Sequence, residues 1–391
     1  MKSNYNQLGH YIRQVDIRNI EGKSENLLGV SVQKLFIPSI ANTVGTDFSK
    51  YKVVKKGQFT YIPDTSRRGD KIGIALLEDY EEGLVSNVYT VFEVINDKEL
   101  IPEYLMLWFR RPEFDRYARF KSHGSVREVF DWNEMCKVEL PVPSYEEQKQ
   151  IVASYKRITE RIAMKKQIND NLVAVGAASI HKNVGRGALI NLTEAEMDRL
   201  TFSKGIKVQT VSEFCADTKS GSTPSRINNE YWENGTIPWI KSGEVHNNIS
   251  LQTEEYITPL GLNESSTKLL PKDTVLMAMY GVTAGEVGYL AIEATTNQAI
   301  CGMICHSKAE AAYLYFSLIQ SQAAISRLSN GGAQDNLSKT FIDNIKIVVP
   351  PAEVIESLGL AAIIEQMTLN TKEIALLEEL KSSALAQLSS Y

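Results

Sequence analysis

Cysteine and histidine are scarce in this chain of 391 residues, which has four of the first and five of the second. Cys136, Cys215, Cys301 and Cys305 lack the paired spacing of a disulfide framework. "CGMICH", Cys301 to His306, sets two thiols beside a histidine, but no second ligand pair stands near it. These cysteines read as buried thiols in a strand. His10, His123, His181, His246 and His306 fall in neither zinc-helix nor triad spacing. No apolar run approaches the ~18 residues of a membrane span. The opening "MKSNYNQLGHYIRQVD" has no apolar core of a signal peptide, so no membrane partner and a cytoplasmic location are expected.

Other chemistry is missing too. "IEGKSE" supplies Gly22, Lys23 and Ser24, but a phosphate-cradling loop needs glycine at position 17, where Ile17 stands. "VVPPAE" has the double proline of an amino-methyltransferase motif, yet Val349 occupies the position that would hold the target amine, and no glycine-rich cofactor loop accompanies it. Asp64 and Asp70 near Arg67 lack the acid-x-Lys strand of a nuclease. The chain is therefore not expected to be an enzyme in itself or to hold a cofactor.

What is present is ordinary globular composition, 43% hydrophobic and 23% charged, enough for two or three domains. The net charge of −5 argues against a general nucleic-acid binder, but its distribution is uneven. "FRRPEFDRYARFKSHGSVR" bunches Arg110, Arg111, Arg116, Arg119, Lys121 and Arg127, and "SRRGDK" adds Arg67, Arg68 and Lys71. These clusters suit either phosphate contact or a solvated helix face.

The stretch "VELPVPSYEEQKQIV" runs a strand pattern through prolines into a helix, and "IVVPPAEVIESLGL" repeats it, with Pro143 and Pro351 208 residues apart. "EYLMLWF" from Glu103 matches "AYLYFSL" from Ala312, "HGSVREVF" matches "GGAQDNLS", and "KIGIALL" matches "EVGYLAI" at nearly the same offset. The chain is two copies of one unit. Each copy ends as strands, an amphipathic helix, a glycine-containing loop, a strand, the prolines and a long helix. The front halves differ: only the second has "SGSTPSRINNEYWENGTIPWIKSGEV", a loop-rich run pinned by aromatics.

Both long helices carry a heptad rhythm. Ile151, Tyr155, Ile158, Ile162, Lys165, Asn169 and Leu172 mark the first; Leu360, Ile363, Met367, Asn370, Ile374, Leu377, Lys381, Ala384 and Leu388 mark the second. An antiparallel pairing sets Ile151 against Leu388, Ile162 against Leu377, Leu172 against Met367 and Asn169 against Asn370. The two amides then satisfy each other, and a slip would strand one at a cost of about 1–3 kcal/mol, so they set the register. A helix of ~30 residues is ~45 Å long, slightly more than the ~34–36 Å of a duplex turn. The alternative is that each helix packs on its own domain.

Taken together, "STPSRINNEYWENGTIPWIKSGEV", "TTNQAICGMI", "GGAQDNLSKTFIDNIKIVVPP" and "LPVPSYEEQKQIV" resemble the specificity subunit of type I restriction-modification systems over essentially the whole chain. The resemblance implies an α/β (α+β) fold with two similar target-recognition domains, separated by two long helices in an antiparallel coiled coil with a pseudo-two-fold internal repeat. On this reading residues 1–143 form the first recognition domain, 144–182 the first spacer helix, 183–205 a loose linker, 206–350 the second recognition domain and 351–391 the second spacer helix. The family binds double-stranded DNA at a bipartite site. It docks two modification subunits that carry S-adenosylmethionine, and through them restriction and motor subunits, with no catalysis of its own. The second helix entry departs from the pattern, lacking the Glu146, Glu147, Gln148, Lys149 step through which the resemblance suggests partner docking.

Phosphate contacts position such a protein and base contacts specify its target. Arg67, Arg68, Lys71, Lys121 and Arg127 in the first domain, and Lys219, Arg226 and Lys241 in the second, are the phosphate candidates. For base edges the loops offer Ser122, His123, Ser125, Ser222, Thr223, Ser225, Tyr280, Thr283, Gln334 and Asn336, unless they cap turns locally. Arg127 serves in either role. Trp232, Trp239, Phe341 and Ile345 are expected in the core. A non-catalytic coiled-coil scaffold whose heads bind proteins is the competing reading.

Overall fold

A computed structural model describes residues 5–22, 24–39, 45–65, 71–122, 128–190, 205–329 and 336–390. Two compact units form, residues 1–161 with 377–391, and residues 162–376. The first contains β1 (Tyr5–Gln7), β2 (Ile12–Val15), β3 (Phe59–Tyr61), β4 (Ile74–Leu76) and β5 (Thr90–Val94). Helices α1 (Pro102–Phe109), α2 (Pro112–Lys121) and α3 (Trp132–Cys136) follow, then β6 (Glu139–Pro141) and the start of α4 (Tyr145–Val184). The central sheet has the antiparallel order β2-β5-β3-β4, and β1 pairs separately with β6.

Neighbouring residues of β5 show why this strand is apolar on both sides, since adjacent side chains leave a strand in opposite directions. Phe92 joins the core under α1 and α2, stacked on Phe59 at 4.8 Å with Phe109 edge-on. Val91 joins Leu28, Val54, Leu77 and Val85 on the other face, against the extra strands Leu28–Val30, Lys52–Lys55 and Glu82–Val85. Proline in the first turn starts both α1 and α2, where its missing N–H costs no hydrogen bond.

The second unit repeats the plan. Its described elements include the rest of α4, β7 (Ala188–Leu189), β8 (Lys207–Thr210), β9 (Asp217–Ser220), β10 (Val275–Ala278), β11 (Val287–Leu290) and β12 (Ile300–Ile304). Next come α5 (Lys308–Ser329), α6 (Lys339–Asp343), β13 (Lys346–Val349), α7 (Ala352–Ser357) and α8 (Leu360–Gln387). The order β9-β12-β10-β11 matches β2-β5-β3-β4 strand for strand, and β8 pairs with β13 as β1 does with β6. Even a single hydrogen bond recurs: Tyr104 Oη donates to the Pro141 carbonyl, and Tyr313 Oη to that of Val348. The duplication read from the prolines thus extends to the sheet, including the front halves where sequence similarity fades.

Residues 162–184 of α4 run antiparallel to the first part of α8 within the second unit. Asn370, 1% exposed, donates to Asn169 Oδ1 at 2.8 Å, and Asn169 in turn donates to Thr371 Oγ1 at 3.3 Å. Lys165, a seam position, donates to Asn370 Oδ1 at 3.1 Å and pairs with Glu373 at 2.8 Å. Leu172 and Met367 join the same core. In the first unit Leu388 is buried with Ile151 packed in its cluster.

Two expected boundaries change. Residues 183–205 do not begin a loose linker: α4 continues to Val184, and β7 adds to β13 at Ala188↔Ile347. Residues 191–204 lie outside the described residues. The second long helix is also interrupted, because α7 stops and Gly359 turns the chain at φ +66° before α8 begins.

Candidate nucleic-acid interface

In the second unit the segment after β9 is held from several sides. Gly221 has no room for a Cβ, which would lie 2.2 Å from the Thr296 carbonyl oxygen. Ser222 N–H donates to that oxygen at 2.9 Å, and Thr223 Oγ1 donates to Gln298 Oε1 at 2.6 Å. Two indoles finish the anchorage: Trp239 Nε1 donates to the Ser222 carbonyl at 2.9 Å and Trp232 Nε1 to that of Ser225 at 3.0 Å. Trp239 is buried as expected, whereas Trp232 is only partly so. Phe341 and Ile345 also pack in the core.

Arg226 lies on this platform. Its guanidinium carbon is 3.6 Å from the Trp232 ring centre and 4.8 Å from that of Trp239. It also donates to Glu255, which pairs with Lys241 at 3.1 Å, while Lys241 reaches Glu254 at 2.8 Å. The hydrogen bond from Arg226 holds the Glu255 carboxyl below its usual range, and Glu254 followed by Glu255 raises Lys241. Both cations are thus locally neutralised, and a phosphate would compete with two carboxylates for them. The sequence run "TEEYI" held these counter-ions, which a search for basic residues passes over. Lys219, on β9, is near Asp217 at 3.3 Å.

The turn between β10 and β11 stands in the same loop cluster. Met279 N–H donates to the Ala299 carbonyl, and the Met279 carbonyl accepts from Leu337 N–H, both within 2.9 Å. Tyr280 and Asn336 are exposed there. Thr283 corrects an expectation: it is buried and donates inward to the Ser242 carbonyl at 3.1 Å, so it braces the turn and cannot read a base. The hydrogen bonds therefore gather Ser222, Thr223, Ser225, Arg226, Lys241, Tyr280 and Asn336 into loops that touch one another.

The first unit has the matching joint. Thr65 N–H donates to the Glu128 carbonyl at 3.0 Å and Phe130 N–H to that of Pro63 at 2.9 Å. Ser122 closes the joint, accepting from Thr65 Oγ1 at 2.9 Å and donating to the Ala118 carbonyl at 2.7 Å. Its hydroxyl caps locally, the alternative reading for such residues. Lys71 is exposed, and Lys121 ends α2 with its ammonium 5.7 Å from the Phe120 ring centre. Arg67, Arg68, His123, Ser125, Arg127 and Gln334 lie outside the described residues.

At the helix entry the docking expectation changes for one residue, Gln148. Glu147 accepts from Ser144 N–H at 2.9 Å and from its hydroxyl, a capping box that starts α4. Gln148 is fully buried: it accepts from Ile101 N–H and donates to the Glu99 and Pro143 carbonyls, each within 2.9 Å. Glu146 and Lys149, paired at 3.5 Å, are exposed, and so is Glu147 beside its capping bond.

Among the described residues no group of His, Cys, Asp or Glu is arranged to hold a metal ion, and no helix is long and apolar enough to cross a membrane. Burial raises the Cys301 thiol to about 12, the behaviour of a core residue. A duplicated α+β unit with unlike loop clusters on a common sheet defines a recognition protein with two heads. The family profile described as the type I restriction modification DNA specificity domain matches residues 10–174 and 203–379, and the chain belongs to that family. The chain is 30% identical over 135 residues to a type I restriction enzyme specificity subunit of Escherichia coli, a match spanning 33% of each chain. It is 22% identical over 304 residues to the MjaIX specificity subunit of Methanocaldococcus jannaschii, covering 75% of this chain and 70% of that one. The crystal structure of a type I restriction-modification S subunit from M. genitalium shares the fold, with TM-score 0.56, 14% identity, and coverage of 98% of this chain and 95% of that one.

Proposed function

We propose that this chain is the DNA-recognition subunit of a type I restriction-modification enzyme, and that each unit reads one half of an asymmetric bipartite site. The observation that carries this reading is the shared strand order of two sheets whose connecting loops differ in sequence. A common scaffold presents the loops in the same way, and unlike side chains on them select unlike bases. The helices α4 and α8 set the number of unread base pairs, with the Asn169–Asn370 layer fixing their register. Two modification subunits, docked in part through Glu146 and Lys149, bring S-adenosylmethionine and methylate the bound DNA. The chain contributes no catalytic group.

The test is selection from a randomised duplex pool by the chain purified together with the modification subunits of its own host. Two short defined blocks at a fixed separation are expected, with affinity falling steeply as salt rises. Binding without sequence selection would remove the proposal.

A further inference from the structure

Val282 is the middle residue of the turn Gly281–Thr283, and its side chain is completely exposed, at 103%. A single exposed valine needs no explanation in itself. This one is held out by a braced turn. Gly281 adopts φ +77°, Gly285 N–H donates to the Ala278 carbonyl at 2.8 Å, and the neighbours Thr283 and Ala284 are buried. The valine is β-branched, so few rotamers are lost when it meets a partner.

The repeat supplies the second observation. The β10–β11 connection corresponds to the β3–β4 connection of the first unit, and each is stitched at its base to the segment returning from the preceding long helical region, through Leu337–Met279 and Thr65–Glu128. In the first unit that connection carries Arg67 and Arg68; in the second its tip is neutral and aliphatic. The two connections therefore differ in sequence character, cationic in the first unit and neutral in the second. Among base edges in the major groove, the 5-methyl of thymine is the aliphatic group.

We infer that Val282 is a specificity-determining residue of the second unit, packing against the 5-methyl of a thymine in its half-site. This rests on the proposed DNA-recognition function. The probe is the duplex selected from the randomised pool, with each thymine replaced in turn by uracil, which removes only that methyl. The wild-type complex should bind about three- to fourfold less tightly with uracil at one position, as expected for one buried methyl. Val282→Ala, at an exposed site where folding is not at risk, should bind thymine and uracil there equally. Indifference of the wild type at every thymine, a target without thymine, or an unchanged uracil effect in Val282→Ala each overturns the inference while leaving DNA recognition intact. A complex that selects no sequence instead fails at the parent reading.

Discussion

Glu255 shows how a single residue sets the character of a basic loop cluster. It shares one carboxylate between Arg226 and Lys241, so two cations on the face reach the surface already compensated. Glu255→Gln should release Arg226 and leave Lys241 held by Glu254 alone, raising non-specific duplex affinity and steepening its salt dependence, measured by binding titrations between about 50 and 200 mM salt. An unchanged salt slope would take this face away from the phosphates. The pH dependence has a definite sign. The carboxyl is lowered on folding, so its stabilisation is complete above its ordinary value of 4.5 and is lost as pH falls from there through the lowered folded value. The melting-temperature difference between wild type and Glu255→Gln should shrink across that acid window and stay constant around neutrality. Gln148 is the counterpart in the first unit: Gln148→Ala leaves a backbone donor and two carbonyls unsatisfied and should cost about 1–3 kcal/mol in urea unfolding. The capping pattern "SYEEQ" contained half of that role, Glu147 three residues after Ser144. The bonds of Gln148 to Glu99 and Ile101 come from a segment nearly fifty residues away in sequence, which no local pattern reveals.

At the scale of elements, the repeat was legible where proline, aromatic and glycine positions recur, and the heptads marked both helices and the amide layer between them. Asn370→Leu should set an apolar group against Asn169 and deprive Lys165 of an acceptor, costing about 1–3 kcal/mol. Adding Asn169→Leu should recover much of that loss in thermal unfolding, with a less well defined register, since buried polar pairs trade stability for specificity. If the double substitution is as unstable as the single one, the amide pair is not what sets the stability of this layer. Other elements were hidden for physical reasons. β7 is two residues long and, among the described residues, pairs with β13 alone, so periodicity cannot mark it. The break before α8 depends on the left-handed backbone of Gly359, one glycine inside a stretch of helical composition. The shared sheet order escaped because its strands are short, and several, such as Ile74–Leu76 and Val275–Ala278, are buried on both faces and show no alternation.

For the whole molecule, the central consequence is asymmetry built on a duplicated frame. The sequence of the β3–β4 connection contains "SRRGDK" and that of the corresponding β10–β11 connection "YGVTAGE", so the two halves of the target should differ in sequence. Composition had concealed this, because a net charge of −5 averages a locally cationic loop with many neutral or acidic segments. The most direct test is a map of methylated bases across the host genome, compared with that of a strain lacking this chain. The account predicts one motif that disappears with the chain, consisting of two unequal defined blocks separated by a constant number of unread base pairs. A continuous motif without an internal gap, or two identical inverted blocks, would contradict it.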